Sequence, residues 1–284
     1  MTPTLVRQHL PQAGAAPRVD LRARARDWSE IQERMLVPLY EAVHERLDVG
    51  PATRLLGLGC GSGLALLMAA SRGASVTGVD TGTDRLRLAR ERLLPEDREP
   101  RGRPDTRIVS GEPRDAAPGP RHPYTVVTAF EPIGCLAGDA DALAGLLAEA
   151  VPLAGRGAAV VLAGWGPPER CATLSVLRTA TEAAQPLRGS GTWRPAHRDD
   201  LEDVAARAGL RPDGSGRVAC PFGYADPDSA LRGLLSTGLF DPAIAATDQV
   251  QVAKELTEAL HPYQRPDGTV WMPNVFRYLI ARTP

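Results

Sequence analysis

Apolar positions recur at spacings of three and four from Asp20 to about Leu47. Trp28, Ile31, Met35, Leu36, Leu39, Val43 and Leu47 share one face, which predicts an amphipathic N-terminal helix over 20–49. Gly50-Pro51 ends it. The period then changes: Arg54–Leu58 is a short apolar run ending in glycines, Leu64–Ala70 reads as helix, and Ala74–Val79 as strand. Asp84–Leu94 is helical, with Leu86, Ala89 and Leu93 aligned. Further strands are expected at Thr106–Val109, Tyr124–Phe130 and Gly157–Ala163, with a helix between the last two that Asp139 or Asp141 caps. Regular alternation of this kind argues for a parallel sheet covered by helices on both faces.

The second half is less regular. Helices are expected over Arg170–Ala184 and Arg198–Ala208, a sixth strand at Arg217–Phe222 and a seventh at Asn274–Ala281. Leu231, Leu234, Leu235 and Leu239 mark a helical insertion at about 226–260, read as a lid. Residues 1–19 carry Pro, Gly and Ala without periodicity and read as a flexible segment ahead of one α/β domain over 20–284.

Composition narrows the function classes. Apolar residues are 43% and charged residues 24%, as in ordinary globular proteins. The formal net charge of −1 gives no field to recruit nucleic acid or an anionic membrane. No run approaches the ~18 apolar residues of a membrane span, and the first twenty residues lack the apolar core of a secretory signal, so the expected location is cytoplasmic. Cys60, Cys135, Cys171 and Cys220 form no C-x-x-C pair, and no Asp/His cluster suggests a metal.

The chemistry concentrates in the turn after the first strand, Leu56-Gly57-Leu58-Gly59-Cys60-Gly61-Ser62-Gly63. Glycines there allow positive φ and close approach of a ligand. The spacing is neither G-x-G-x-x-G nor a G-K-[ST] phosphate loop; it is G-x-G-x-G at Gly59, Gly61 and Gly63. Asp80 closes the next strand 21 residues after Gly59, where a carboxylate accepts the hydroxyls of a ribose.

On these residues, with GVD at 78–80, YTVVTAF at 124–130, GAAVVLAGWG at 157–166 and PNVFRYLIA at 273–281, the sequence resembles the class I S-adenosylmethionine-dependent methyltransferases. It looks most like their ubiquinone/menaquinone C-methyltransferase-like small-molecule branch. The resemblance implies a Rossmann-like sheet of seven strands, six parallel and the last antiparallel. It implies S-adenosylmethionine as cofactor, with Gly59, Gly61 and Gly63 framing its methionine end, Asp80 its ribose, and Glu112 with Phe130 its adenine. The acceptor would be a small molecule of secondary or other biosynthetic metabolism. Three positions depart from the family pattern and bear on affinity. Gly57 stands where the family has an acid near the methionine end, Pro113 has no N–H to offer the adenine ring, and Thr125 replaces an Asp. Losing one charged hydrogen bond costs roughly 1.5–3 kcal/mol, or ~10–100-fold in affinity. Two alternatives therefore stand beside a methyltransferase: an enzyme of this fold that catalyses a cyclisation or rearrangement, and a non-catalytic binding protein.

Ligands of open α/β sheets bind beyond the C-terminal strand ends. Glu131, after the fourth strand, is the first candidate base, and His261 the second. Trp28, Trp165 and Tyr263 are candidate substrate contacts.

Overall fold

The computed structural model describes residues 20–94, 105–119, 122–184, 197 and 199–284. The expectation for residues 1–19 lies outside them. The strands are β1 (Arg54–Leu58), β2 (Ser75–Asp80), β3 (Thr106–Ser110), β4 (Tyr124–Ile133), β5 (Ala154–Trp165), β6 (Arg211–Ala219), β7 (Phe222–Tyr224), β8 (Val270–Met272) and β9 (Val275–Arg282). The α-helices are α1 (Leu21–Asp27), α2 (Val37–Arg46), α3 (Leu64–Ser71), α4 (Thr83–Leu93), α5 (Asp139–Ala150), α6 (Ala172–Ala184), α7 (Asp200–Arg207), α8 (Pro227–Ser236), α9 (Asp241–Ala246) and α10 (Gln249–Leu260).

Seven strands form one sheet in the order β3-β2-β1-β4-β5-β9-β6, and β7 pairs with β8 in a separate ribbon. β1 to β5 are parallel. β9 enters antiparallel between β5 and β6, so β6 runs with β5 and only β9 opposes the rest. Side chains alternate between two cores because a strand has period two. Ala159, Val161 and Ala163 of β5 face one core, shared with α2 and α3, and Val160 and Leu162 face the other, shared with α5 and α7. The chain reverses its direction of winding between β1 and β4, and a crevice opens at their C-terminal ends.

The sixth strand and the N-terminal helix depart most from the sequence reading, and β4 and β5 both run longer than expected. The sixth strand spans Arg211–Ala219 rather than 217–222. Its Pro, Asp and glycines have little strand propensity, but as the edge partner of β9 it needs a ladder on one side only, with a register irregularity at Pro212/Gly214. The N-terminal helix is not continuous: a π-helical turn at Trp28–Gln32 and a 3₁₀ turn at Glu33–Leu36 separate α1 from α2. The insertion at 226–260 comprises α8, α9 and α10, and α8 packs on the π turn, where Gly233 allows close approach to Ile31 and Gln32. Among the described residues no helix is long and apolar enough to cross a membrane.

Candidate functional site

A cavity of about 500 Å³ lies at the crevice. Leu58 and Gly59 at the end of β1, Asp80 at the tip of β2, Gly111 and Glu112 after β3, and Glu131 near the end of β4 line it. Leu21, Arg24 and Ala25 of α1 cover it. No residue of 226–260 is among the described lining residues, so the cover is α1, with the insertion behind it: Arg24 donates to Asp241 at 2.9 Å and Arg85 to the Ser236 carbonyl at 2.9 Å.

Asp80 is fixed by the backbone on both sides. Gly61 N–H donates to its Oδ2 at 2.8 Å and Gly82 N–H to its Oδ1 at 2.7 Å. Each oxygen keeps further acceptor capacity, and the residue lines the cavity. Gly59, Gly61 and Gly63 have φ of 57°, 56° and 82°, the left-handed region that side chains disfavour. Glu131 faces the cavity, its carboxylate 3.6 Å from the point where a Cβ on Gly59 would sit. Although its surface is open to the cavity, most of its surroundings are protein. Burial therefore raises its pKa above the ordinary carboxylate value; Asp80 and Asp139 raise it further and Arg85 opposes them. Asp139 Oδ2 accepts N–H bonds from Gly134, Cys135 and Leu136 at 2.7–3.1 Å, which holds the loop just beyond Glu131.

The glycine turn has a second carboxylate, from an element distant in sequence. Glu33, 2% exposed, accepts Ser62 Oγ–H at 2.5 Å, Leu64 N–H at 3.2 Å and the Arg92 guanidinium at 2.7 Å. Arg92 also donates to the Ser62 carbonyl at 2.8 Å and to Ser29 Oγ at 2.8 Å. Trp28 lies against the same turn, its Nε1 3.1 Å from the Cβ position of Gly61, with the Arg85 guanidinium 4.5 Å from the ring centroid. The Cys60 thiol is pushed up to about 12, first by burial and then by Asp80 and Glu33, so it is a neutral thiol and not a thiolate nucleophile.

The three departures sort differently in space. Gly57 faces its register partner Gly78 across β1 and β2, and Leu66 of α3 fills the slot between them. A Cβ at Gly57 would stand 2.9 Å from Leu66 Cδ2. Pro113 is the first residue of a 3₁₀ turn, a position whose N–H has no partner within the turn. Thr125 accepts Arg54 N–H at 2.9 Å at the N-terminal ends of β4 and β1, the end of the sheet away from the cavity, so its replacement of an Asp does not bear on this site.

Of the remaining candidates, Glu112 lines the cavity, its own N–H donated to Asp115 at 2.9 Å. Phe130 does not line it: strand alternation turns the ring to the opposite side, 4.8 Å from Tyr40. Trp165 is buried, its ring tilted against Phe276 at 4.6 Å and edge-on to Phe222 at 6.4 Å. His261 is exposed and Tyr263 half-buried on a 3₁₀ turn beside β8, and neither lines the cavity. The structure thus brings together Gly59, Asp80, Glu112 and Glu131; Gly61 and Gly63 do not line the cavity, and Trp28 lies outside it against Gly61. Glu33, Arg85 and Arg92 escape sequence reasoning. Glu33 falls off the apolar face of an ideal helix, and only the π turn rotates it inward. Among the described residues, no group of three His, Cys, Asp or Glu is arranged to hold a metal.

No family model matches the sequence, and no curated protein matches it. Solved structures do. The chain is similar to the YcgJ protein of Bacillus subtilis (15% identity, 89% of this chain and 100% of that one, TM-score 0.53). It is also similar to YjhP of Escherichia coli (19% identity, 92% and 99%, TM-score 0.50) and to an S-adenosylmethionine-dependent methyltransferase of Methanosarcina mazei (14% identity, 85% and 96%, TM-score 0.50). At such identities the likeness establishes the fold: a seven-stranded, Rossmann-like methyltransferase sheet with helices on both faces.

Proposed function

We propose that this chain is an S-adenosylmethionine-dependent methyltransferase acting on a small molecule, a secondary metabolite or other biosynthetic intermediate. One observation carries the reading: the cavity at the switch point of a methyltransferase sheet is built around Asp80, a β2-tip carboxylate aimed by two backbone N–H groups. The residues fit the nucleoside half of the cofactor. Asp80 would accept the ribose hydroxyls, Glu112 an amino group on the base, and Gly59 would allow close approach. They do not fit its amino-acid tail in this conformation, because Trp28 and Glu33 occupy the outer side of the glycine turn. When bound, the cofactor would supply an activated methyl group. Glu131 is the group placed to receive a proton from an acceptor, and its raised pKa brings it nearer the working range of a general base.

A second reading, a non-methylating enzyme on the same fold, is favoured by that closed turn and by Leu66 in the slot where an acid at position 57 would stand. Calorimetric titration of the purified chain with S-adenosylmethionine and S-adenosylhomocysteine, followed by transfer of a labelled methyl to candidate acceptors, tests both. Binding near micromolar with label transfer supports the methyltransferase. Binding without transfer to any acceptor favours the second reading, and no heat at millimolar ligand removes the first.

A further inference from the structure

A nucleoside whose ribose sits on the acid at the tip of the second strand directs its 5′ carbon at the glycine turn and the first turn of the following helix. In this chain that ground is already taken. Gly61 N–H is bonded to Asp80, Gly63 N–H to the Cys60 carbonyl at 2.9 Å, and Leu64 N–H and the Ser62 hydroxyl to Glu33. The Trp28 indole lies on Gly61, and its buried Nε1 has no hydrogen-bond partner among the described residues. The cavity accordingly reaches Gly59 and Glu131; Cys60 to Gly63 and Trp28 are not among the residues that line it.

Charge restricts the ligand further. A phosphate on the 5′ carbon would meet the Glu33 carboxylate, the side chain that takes the helix N–H and the serine hydroxyl a phosphate would otherwise use. The cation beside Glu33, Arg92, is committed to Glu33, Ser62 and Ser29. The two guanidinium groups that line the cavity are held as well, Arg24 by the Asp241 carboxylate and Arg85 by the Ser236 carbonyl and the Trp28 ring, so the 5′ group that leaves the fewest demands unmet is small and uncharged. The element closing the turn is itself irregular: the π turn Trp28–Gln32 is bounded by α1 and a 3₁₀ turn, an arrangement that recurs where helices change shape for function.

We propose that the cleft in this conformation is a site for a nucleoside bearing a small uncharged 5′ substituent, of the 5′-alkylthio class, and that the π turn carrying Trp28 must lift before a 5′ amino-acid tail can enter. The inference rests on the nucleoside-site reading of the proposed function, and the two fail differently. Calorimetry on the full chain would compare adenosine, 5′-methylthioadenosine and S-adenosylhomocysteine. The wild type is expected to bind 5′-methylthioadenosine at least as tightly as S-adenosylhomocysteine. Trp28→Ala is expected to strengthen S-adenosylhomocysteine by about tenfold or more while leaving 5′-methylthioadenosine within about threefold. A wild type that binds S-adenosylhomocysteine about tenfold more tightly than 5′-methylthioadenosine overturns the inference and leaves the methyltransferase reading standing. An unchanged S-adenosylhomocysteine affinity in folded Trp28→Ala also overturns it. No binding of any of the three at millimolar concentration overturns both readings. Should Trp28→Ala fail to fold, the order of wild-type affinities decides.

Discussion

Asp80 does two things at once: it stitches the glycine turn to the loop after β2, and it presents a carboxylate to the cavity. Asp80→Ala removes both. Adenosine or S-adenosylhomocysteine binding should weaken by roughly 10–100-fold, measured as calorimetric Kd, and an unchanged Kd would show that the ribose is held elsewhere. Gly57 invites the opposite experiment, restoring the acid that the family resemblance expects. The geometry argues that this fails, since the new Cβ collides with Leu66 and the carboxylate enters a slot bounded by Leu66 and the Cys60 side chain. Gly57→Asp should lower stability by about 1–3 kcal/mol from overpacking alone and should not tighten S-adenosylmethionine binding. Adding Leu66→Ala should relieve that steric part. Urea midpoints and calorimetry together check this, and a stable single variant with improved affinity would contradict it.

Among the elements, the N-terminal helical segment departs most from its sequence pattern. A straight helix through 20–49 would keep the apolar stripe inward and Glu33 out. The π and 3₁₀ turns instead bring Glu33 to the glycine turn, while Gln32, four residues from both Trp28 and Leu36, stays on the inward face and accepts the Tyr224 hydroxyl at 2.9 Å. Because Arg92 is the partner of a fully buried carboxylate, breaking the pair costs more than deleting it. Glu33→Gln should destabilise by on the order of 3 kcal/mol, read as a lower urea midpoint. The double change Glu33→Met with Arg92→Met should be markedly less damaging than the sum of the two single changes. Simple additivity would mean that the ion pair does not hold α4 and the glycine turn to this segment.

For the molecule as a whole, acid stability should be governed in part by one buried imidazole. His44, 1% exposed and packed edge-on to Phe130, has neither ring nitrogen hydrogen-bonded among the described residues. Burial, helped by the Arg72 cation, lowers its pKa from 6.5 to about 4. Below pH 6.5 the unfolded chain takes up a proton that the folded chain refuses until about pH 4, so stability falls as pH falls through this window. The loss reaches about 3 kcal/mol at its lower end. His44→Leu should flatten this part of the profile, seen as a smaller drop in urea midpoint between pH 7 and pH 4.5. Equal drops in both proteins would show that the imidazole is protonated in the fold.

The sheet, the helices on its faces, the glycine turn and the place of Asp80 are legible in the chain's own pattern. These follow from periods of two and 3.6 and from spacing within one strand-turn-helix-strand unit, which are local properties of the chain. The pattern also placed Glu112 beyond the end of β3, where the cavity opens, whereas Glu131, expected just past the fourth strand, lies within the last residues of β4. β6 was misplaced because its strand character comes from pairing with β9 and not from its own residues. Docking of the elements in three dimensions puts Leu66 in the slot between Gly57 and Gly78, Thr125 at the end of the sheet away from the cavity, and Phe130 and Trp165 in the core. It also brings Glu33 to Arg92, 59 residues away, over the glycine turn. Periodicity states which face of an element is buried. Which buried group meets which is set by how the faces are rotated and docked, and here one π turn brings Glu33, beside Trp28, onto the turn the ligand would use.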